Sequence, residues 1–245
     1  MNICNNDEYD ELNNPNGYIN LGTGINNICR DIIIPRLTSA HVWDCNLDLL
    51  QYREGYGILK LRKALSTIMT EFLDTYEPVD PEDDFGIAGL RIGAIHTRCK
   101  PLKNCLKQLS FFHDIPFPVM DIAAKFVGDS DWLKMYLSIY RQRISEKFKE
   151  SFDFCKRMGL NVRNSSGGFF LWLDLRPICG SSSFVQERDF FFYLIEKAHL
   201  YIVPGEELFC AQPGWFRLTF TANPDHVNAG LKRLEEAIKN YTLKV

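Results

Sequence analysis

Between Asp131 and Met158, Trp132, Tyr136, Ile139, Ile144, Phe148, Phe152 and Cys155 recur at three- to five-residue steps. That spacing returns apolar side chains to one side of an α-helix, so the segment is predicted as one long amphipathic helix. Asp129 or Ser130 can cap its start, and Gly159 can end it. A helix of this length exposes a long apolar face, and the neighbouring segments must cover that face.

The downstream sequence has the pieces to do so. Gly167-Gly168 makes a turn into an apolar strand, Phe169-Phe170-Leu171-Trp172-Leu173-Asp174-Leu175. The preceding Ser165-Ser166-Gly167-Gly168 has phosphate-cradle composition, but no helix start follows it, which favours a plain turn. Ser183 and Gln186 have capping-box spacing before a helix whose inner face is predicted as Phe191, Leu194, Ile195 and Ala198. Tyr201-Ile202-Val203 reads as a short strand ended by Pro204-Gly205, and Trp215 to Phe220 as another. Asp225 is expected to cap a last helix with Val227, Leu231, Leu234 and Ile238 on one side. Residues 129–245 therefore read as an α/β module of ordinary domain size.

Upstream, residues 1–17 are Asn-rich and read as a loose arm. Ile58, Leu61, Leu65, Ile68 and Phe72 predict a helix over 57–74. Residues 75–84 are acidic, contain Pro78 and Pro81, and read as a turn or linker. Residues 87–95 are small and apolar, as in a tight turn entering a buried strand.

Composition removes several function classes. A net charge of −3 gives no basic footprint for nucleic acid. No apolar run is long enough to span a membrane, and Met1 to Glu11 lacks the apolar core of a secretory signal, so a cytoplasmic location is expected. The eight cysteines form no CxxC pair and read as reduced, mostly buried thiols. No Cys/His cluster has metal-ligand spacing. His96, His113 and His199 are isolated and read as packing or surface residues.

Four motifs, in order, resemble a known family. Gln51-Tyr52-Arg53-Glu54-Gly55-Tyr56-Gly57 is similar to the tyrosine-to-glycine motif of class I/II aminotransferase-like enzymes, which are fold-type I pyridoxal-phosphate proteins. Asp84-Phe85-Gly86-Ile87-Ala88-Gly89-Leu90-Arg91-Ile92-Gly93 resembles the segment just after their cofactor lysine. Gly167 to Leu175 resembles a strand of their small domain, and Pro213-Gly214-Trp215-Phe216-Arg217-Leu218 resembles the strand carrying the substrate-carboxylate arginine. The nearest subgroup by resemblance is the animal 1-aminocyclopropane-1-carboxylate synthase-like proteins.

The resemblance implies an α/β fold truncated at its centre. Residues 1–17 would be a flexible arm, 18–128 the N-terminal segment and a remnant of the large domain, and 129–245 the bridging helix and small domain. It implies pyridoxal phosphate as cofactor and an amino acid as substrate, with a homodimer or a heterodimer with a full-length homologue as the assembly. The segment missing at residues 79–83 would hold the phosphate loop, the ring-stacking aromatic, the pyridine-nitrogen aspartate and the lysine. Asp83 stands eight residues before Arg91, where that lysine is expected. A carboxylate cannot form a Schiff base, so the chain is expected to be catalytically inactive.

Each remaining site residue has two readings. By resemblance, Arg91 would anchor the cofactor phosphate, and otherwise it is a strand-end arginine in an ion pair. Tyr52 would reach the phosphate of a neighbouring subunit, or pack at a helix entrance. Arg217 alternates with Phe216, Leu218 and Phe220, so it points away from them. It would bind the substrate carboxylate, or form a structural salt bridge. Leu21-Gly22-Thr23-Gly24-Ile25-Asn26 resembles the substrate-side loop, with Ile25 where aminocyclopropane-carboxylate synthases carry a glutamate. A non-catalytic splice form or paralogue that pairs with a full-length homologue, or a gene model that skipped exons, fits the same sequence.

Overall fold

The computed structural model describes residues 6–25, 27–40, 42, 58–71, 92, 97–110 and 115–241. Tyr52, Asp83, Arg91, His96 and His113 lie outside the described residues, as does all but Ile92 of the strand expected over 87–95. In chain order the elements are β1 (Ile19–Asn20), α1 (Arg30–Leu37), α2 (Leu59–Glu71), α3 (Lys100–Ser110), α4 (Phe117–Val127) and α5 (Ser130–Arg157). Then come β2 (Asn161–Val162), β3 (Phe170–Asp174), α6 (Arg176–Cys179), α7 (Phe184–Ala198), β4 (Leu200–Tyr201), β5 (Val203–Pro204), β6 (Trp215–Thr219) and α8 (Pro224–Asn240). The chain divides into two compact units, Met1–Ile28 with Arg141–Val245, and Cys29–Tyr140.

The first unit is built on an antiparallel sheet of order β2-β3-β6-β5. In its central pair Leu171 lies opposite Leu218, Leu173 opposite Phe216, and Trp172 opposite Arg217. Strand alternation then sorts the side chains. Leu171, Leu173, Phe216 and Leu218 are buried with Phe190 and Leu194 of α7 and Val227, Leu231 and Leu234 of α8. Phe170, Trp172, Trp215 and Arg217 alternate with them and are half-buried. The run Leu200 to Pro204, expected to hold one strand, serves two sheets. Its start pairs in parallel with β1, and its end pairs with β6. Pro204 has no N–H to continue the ladder, and a 3-10 turn over Gly205–Leu208 follows it.

Local chemistry corrects three expectations. Ser183 accepts the Gln186 N–H, but Gln186 Oε1 accepts from the N–H and hydroxyl of Ser182, so only half of the capping box forms. The buried side of α7 is Glu187, Phe190 and Leu194, while Phe191 is only half-buried. That phase lets Glu187 reach backbone donors described below. The α8 cap is Asn223, whose Oδ1 accepts the Asp225 N–H, because Pro224 at the first helical position needs no acceptor of its own.

The Asn-rich start also differs from a loose arm. Tyr9 and Tyr18 join through a backbone hydrogen bond of 3.0 Å, and the Asp10 carboxylate accepts the N–H groups of Leu12 and Asn13. Arg233 of α8 donates to the carbonyls of Gly17 and Pro15, each at 2.7 Å, with its guanidinium over the Tyr9 ring. His199, the αL C-cap of α7, holds the Asn16 carbonyl and stacks on Tyr18.

The second unit is helical among its described residues. α2 packs on α4, whose Asp121 is buried and paired with Lys125 at 2.8 Å. Rings of Phe126, Trp132, Tyr136 and Tyr140 form a continuous ladder with centroids 4.6, 5.1 and 5.6 Å apart. Arg36 lies over Trp132 and donates to Asp129 at 3.0 Å. α3 leaves its apolar side partly uncovered, with Leu102 46% and Leu109 51% exposed and Leu106 half-buried. Helices of an α/β fold normally bury that side on a sheet, and no strand is present among the described residues of this unit.

The described cysteines are thiols. Cys29, Cys155 and Cys179 are buried, but Cys99 and Cys105 are exposed, so the expectation of mostly buried cysteines is met by half of those described. Burial pushes the Cys155 and Cys179 thiols up to about 12, which leaves them as inert small hydrophobes.

Candidate functional site

Arg217 sits mid-strand in β6 on the side of the sheet opposite the core. Its guanidinium lies 4.3 Å from the centroid of the Phe170 ring, contributed by β3. One terminal nitrogen donates to the Gly22 carbonyl at 2.9 Å. Its Nε is buried and has no hydrogen-bond partner among the described residues. Burial pulls the guanidinium below its ordinary value, and the Tyr201 hydroxyl works weakly the other way. No carboxylate pairs with Arg217 among the described residues, so the alternative of a structural salt bridge has no partner there.

The loop predicted to lie on the substrate side is brought against this strand. Beyond the start of β5, Leu21 takes over the edge of β6, its carbonyl accepting the Thr219 N–H at 2.8 Å. The hydroxyls of Thr219 and Thr221 donate to the carbonyls of Thr23 and Ile25 at 3.1 and 3.0 Å. Asn20 Oδ1 accepts the N–H groups of Gly22 and Thr23, which turns the chain back toward Arg217. Gly22 is required by close approach, since a Cβ there would land on the Tyr201 ring. Ile25 is 43% exposed, and its side chain offers no acid–base group where the resemblance places a glutamate.

The same side of the sheet carries a second cluster. Trp172 stacks on Trp215 with centroids 6.0 Å apart, and the Arg176 guanidinium lies 4.9 Å from the Trp215 ring. Arg176 forms a fork with Asp174, both oxygens accepting at 2.7 Å. The Arg176 side chain holds the Asp174 carboxyl below the usual carboxylate range, against the opposing effect of burial.

Of the residues expected at the site, Arg217 and the Gly22–Ile25 loop come together, while Tyr52, Asp83 and Arg91 fall outside the described residues. Phe170, Tyr201, Thr219 and Thr221 were not singled out in the sequence. Their placement follows from the antiparallel register and the long-range crossing of the N-terminal segment, which strand periodicity does not encode. The groups around Arg217 are an accepting carbonyl, an aromatic ring and a phenol, and none of them carries a charge that neutralises the guanidinium. The donor that suits an incoming carboxylate is the guanidinium itself. Asp83, where the resemblance places the cofactor lysine, carries no amine for the aldehyde of pyridoxal phosphate.

A carboxyl whose folded value is depressed stabilises the fold above its unfolded value, and that stabilisation is lost as pH falls through the folded value. Asp174 therefore adds stability that is complete above about pH 4 and fades below it. Asp174→Asn is expected to lower stability at neutral pH and to flatten the acid limb, as read from urea midpoints at a series of pH values. An acid limb identical to that of the unsubstituted chain would contradict the assignment.

Comparison with known proteins places these features. The family model described as aminotransferase class I and II matches residues 84–237. A probable aminotransferase of Arabidopsis thaliana is 32% identical over 159 residues, which is 64% of this chain and 32% of that protein. The 1-aminocyclopropane-1-carboxylate synthase-like protein 1 of Takifugu rubripes is 30% identical over 161 residues, 64% of this chain and 26% of that protein. The chain thus spans about a third or less of the curated relatives it matches. Among solved structures, aspartate aminotransferase from Thermus thermophilus with maleate superimposes with a TM-score of 0.54 at 19% identity, over 62% of this chain and 38% of that one. Aromatic aminotransferase from Pyrococcus horikoshii gives 0.52 at 18% identity, over 62% and 40%. The expected fold class is met: an α/β aminotransferase fold present in part. With Arg217, β3 and the β6 strand all inside the matched region, the chain belongs to the class I and II aminotransferases.

Proposed function

We propose that this chain is a non-catalytic member of its family that keeps the carboxylate half of an amino-acid site and lacks the cofactor half. The observation that supports this reading most is the buried, unpartnered Nε of Arg217 beside a Gly22 carbonyl and a Phe170 ring. An unsatisfied buried donor costs about 1–3 kcal/mol, and a half-buried guanidinium with no carboxylate beside it among the described residues is completed by an anion. The ligand class is an amino acid or its 2-oxo acid, oriented through its carboxylate. The family's cofactor is pyridoxal phosphate, which supplies an electron sink for amino-acid chemistry when bound through a lysine. Asp83 stands where the resemblance places that lysine, so the chain does not transaminate. Of the inherited cofactor residues, Arg91 would face the phosphate and Tyr52 would face that of a neighbouring subunit. Residues 129–245 form the small domain of this reading and 18–128 the remnant of the large one. No helix among the described residues is long and apolar enough to cross a membrane. With the described cysteines present as thiols, a cytosolic location fits.

The purified chain is expected to give only weak, scattered labelling when titrated with pyridoxal phosphate, reduced with borohydride and mapped by peptide. It is also expected to give no cofactor-dependent turnover of amino acids. A stable adduct on one lysine, or turnover abolished by Arg217→Ala, would overturn the reading.

The half-exposed apolar side of α3 favours a second reading, in which an intact relative supplies the sheet that Leu102 and Leu109 do not find among the described residues. Co-expressed with a full-length homologue from the same cell, the chain would then co-purify as a heterodimer. Recovery of the two proteins in separate fractions would count against pairing.

A further inference from the structure

Glu187, in the first turn of α7, is completely buried, although a glutamate at that place in a helix is ordinarily exposed. Both of its oxygens accept backbone N–H groups from a distant part of the chain. Oε1 takes the N–H of Glu206 at 2.8 Å, and Oε2 takes that of Gly214 in a short hydrogen bond. These two donors bracket the excursion between β5 and β6, so one carboxylate closes the base of that loop. An apolar side chain would fill the same space and leave two buried N–H groups without an acceptor.

Gly214 is fixed from three directions. Its N–H meets Glu187, its carbonyl accepts the Leu175 N–H at 2.9 Å, and a Cβ would lie 2.5 Å from Arg176 Cγ and 3.0 Å from the Gly180 carbonyl. Its φ of +87° is the conformation glycine adopts without strain. β6 starts at the next residue, and Arg217 follows three residues after Gly214. A one-residue slip in β6 would turn Arg217 into the core and Phe216 and Leu218 outward.

We infer that Glu187 is a positioning residue for the carboxylate site: by clamping Gly214 and Glu206 it fixes the start of β6 and so sets Arg217 against Phe170 and Gly22. The inference rests on the reading of Arg217 as the carboxylate-binding residue. Glu187 itself touches no ligand, and the surface pair of Arg188 with Glu206 at 3.0 Å is a separate tie on the same loop.

The test compares the full chain with E187Q and, as a control on the loop's surface ion pair, R188Q. Three readouts are used: amide exchange at Gly214 and Glu206, the Arg217 Nε–H resonance, and titration with maleate. In the unsubstituted chain the Nε–H resonance should be shifted upfield by the Phe170 ring. In E187Q the Gly214 amide should exchange about tenfold faster, the Nε–H resonance should move toward its unstructured position, and maleate affinity should fall about tenfold. R188Q should stay within about twofold of the unsubstituted chain. An E187Q chain with an unmoved Nε–H resonance, or with unchanged maleate affinity, would overturn the positioning role. If the unsubstituted chain does not bind maleate, the carboxylate reading of Arg217 falls, and the Nε–H resonance still decides whether Glu187 sets Arg217 in place. Should E187Q fail to fold, amide exchange in the unsubstituted chain decides: Gly214 and Glu206 must be protected relative to Ala211, and equal rates would refute the clamp.

Discussion

The Arg217 guanidinium lies against the Phe170 ring with one donor on the Gly22 carbonyl and another, Nε, buried with no partner among the described residues. Much of the first unit is arranged so that this group can exist in a half-buried place. The antiparallel register sets Phe170 beneath it, and the N-terminal segment crosses back to supply the Gly22 carbonyl. Tyr201 fills the space that a side chain at position 22 would need. A cation held among apolar and aromatic atoms in this way is incompletely satisfied by the protein itself, and its natural complement is an anion with planar, paired acceptors.

The two units differ in how fully they satisfy their own elements. The sheet β2-β3-β6-β5 has helices on its apolar side, and its central strands are buried there. The described part of the second unit has helices whose natural counterpart, a sheet, is not among the described residues. Asp121 and the aromatic ladder from Phe126 to Tyr140 give it local order, but Leu102 and Leu109 stay about half exposed. This asymmetry matches the resemblance seen in the sequence, where motifs on both sides of residues 79–83 are kept and the segment between them is missing.

Much of the first unit was readable from residue patterns. The spacing from Trp132 to Cys155 marks α5, and the alternation around Arg217 gives both a strand and the side its arginine faces. What could not be read depends on pairings between distant residues. Phe191 looked like the inner face of α7, but a buried Glu187 with two backbone donors sets the helix phase instead. Asp225 looked like the cap of α8, but Pro224 moves that role to Asn223. The Asn-rich start had the composition of a loose arm, yet Arg233, more than two hundred residues away, satisfies its carbonyls. Residues whose roles come from the family resemblance alone, Tyr52, Asp83 and Arg91, rest on motif order, and the described structure bears only on Arg217.

The central claim is that the carboxylate half of the site works without the cofactor half. Calorimetric titration of the full chain with maleate, with and without pyridoxal phosphate and again in Arg217→Ala, tests it directly. The account predicts the same maleate affinity whether or not pyridoxal phosphate is present, and a loss of about tenfold or more in Arg217→Ala, the worth of a charge-assisted pair. Maleate binding that requires pyridoxal phosphate, or that survives the loss of Arg217, would contradict it.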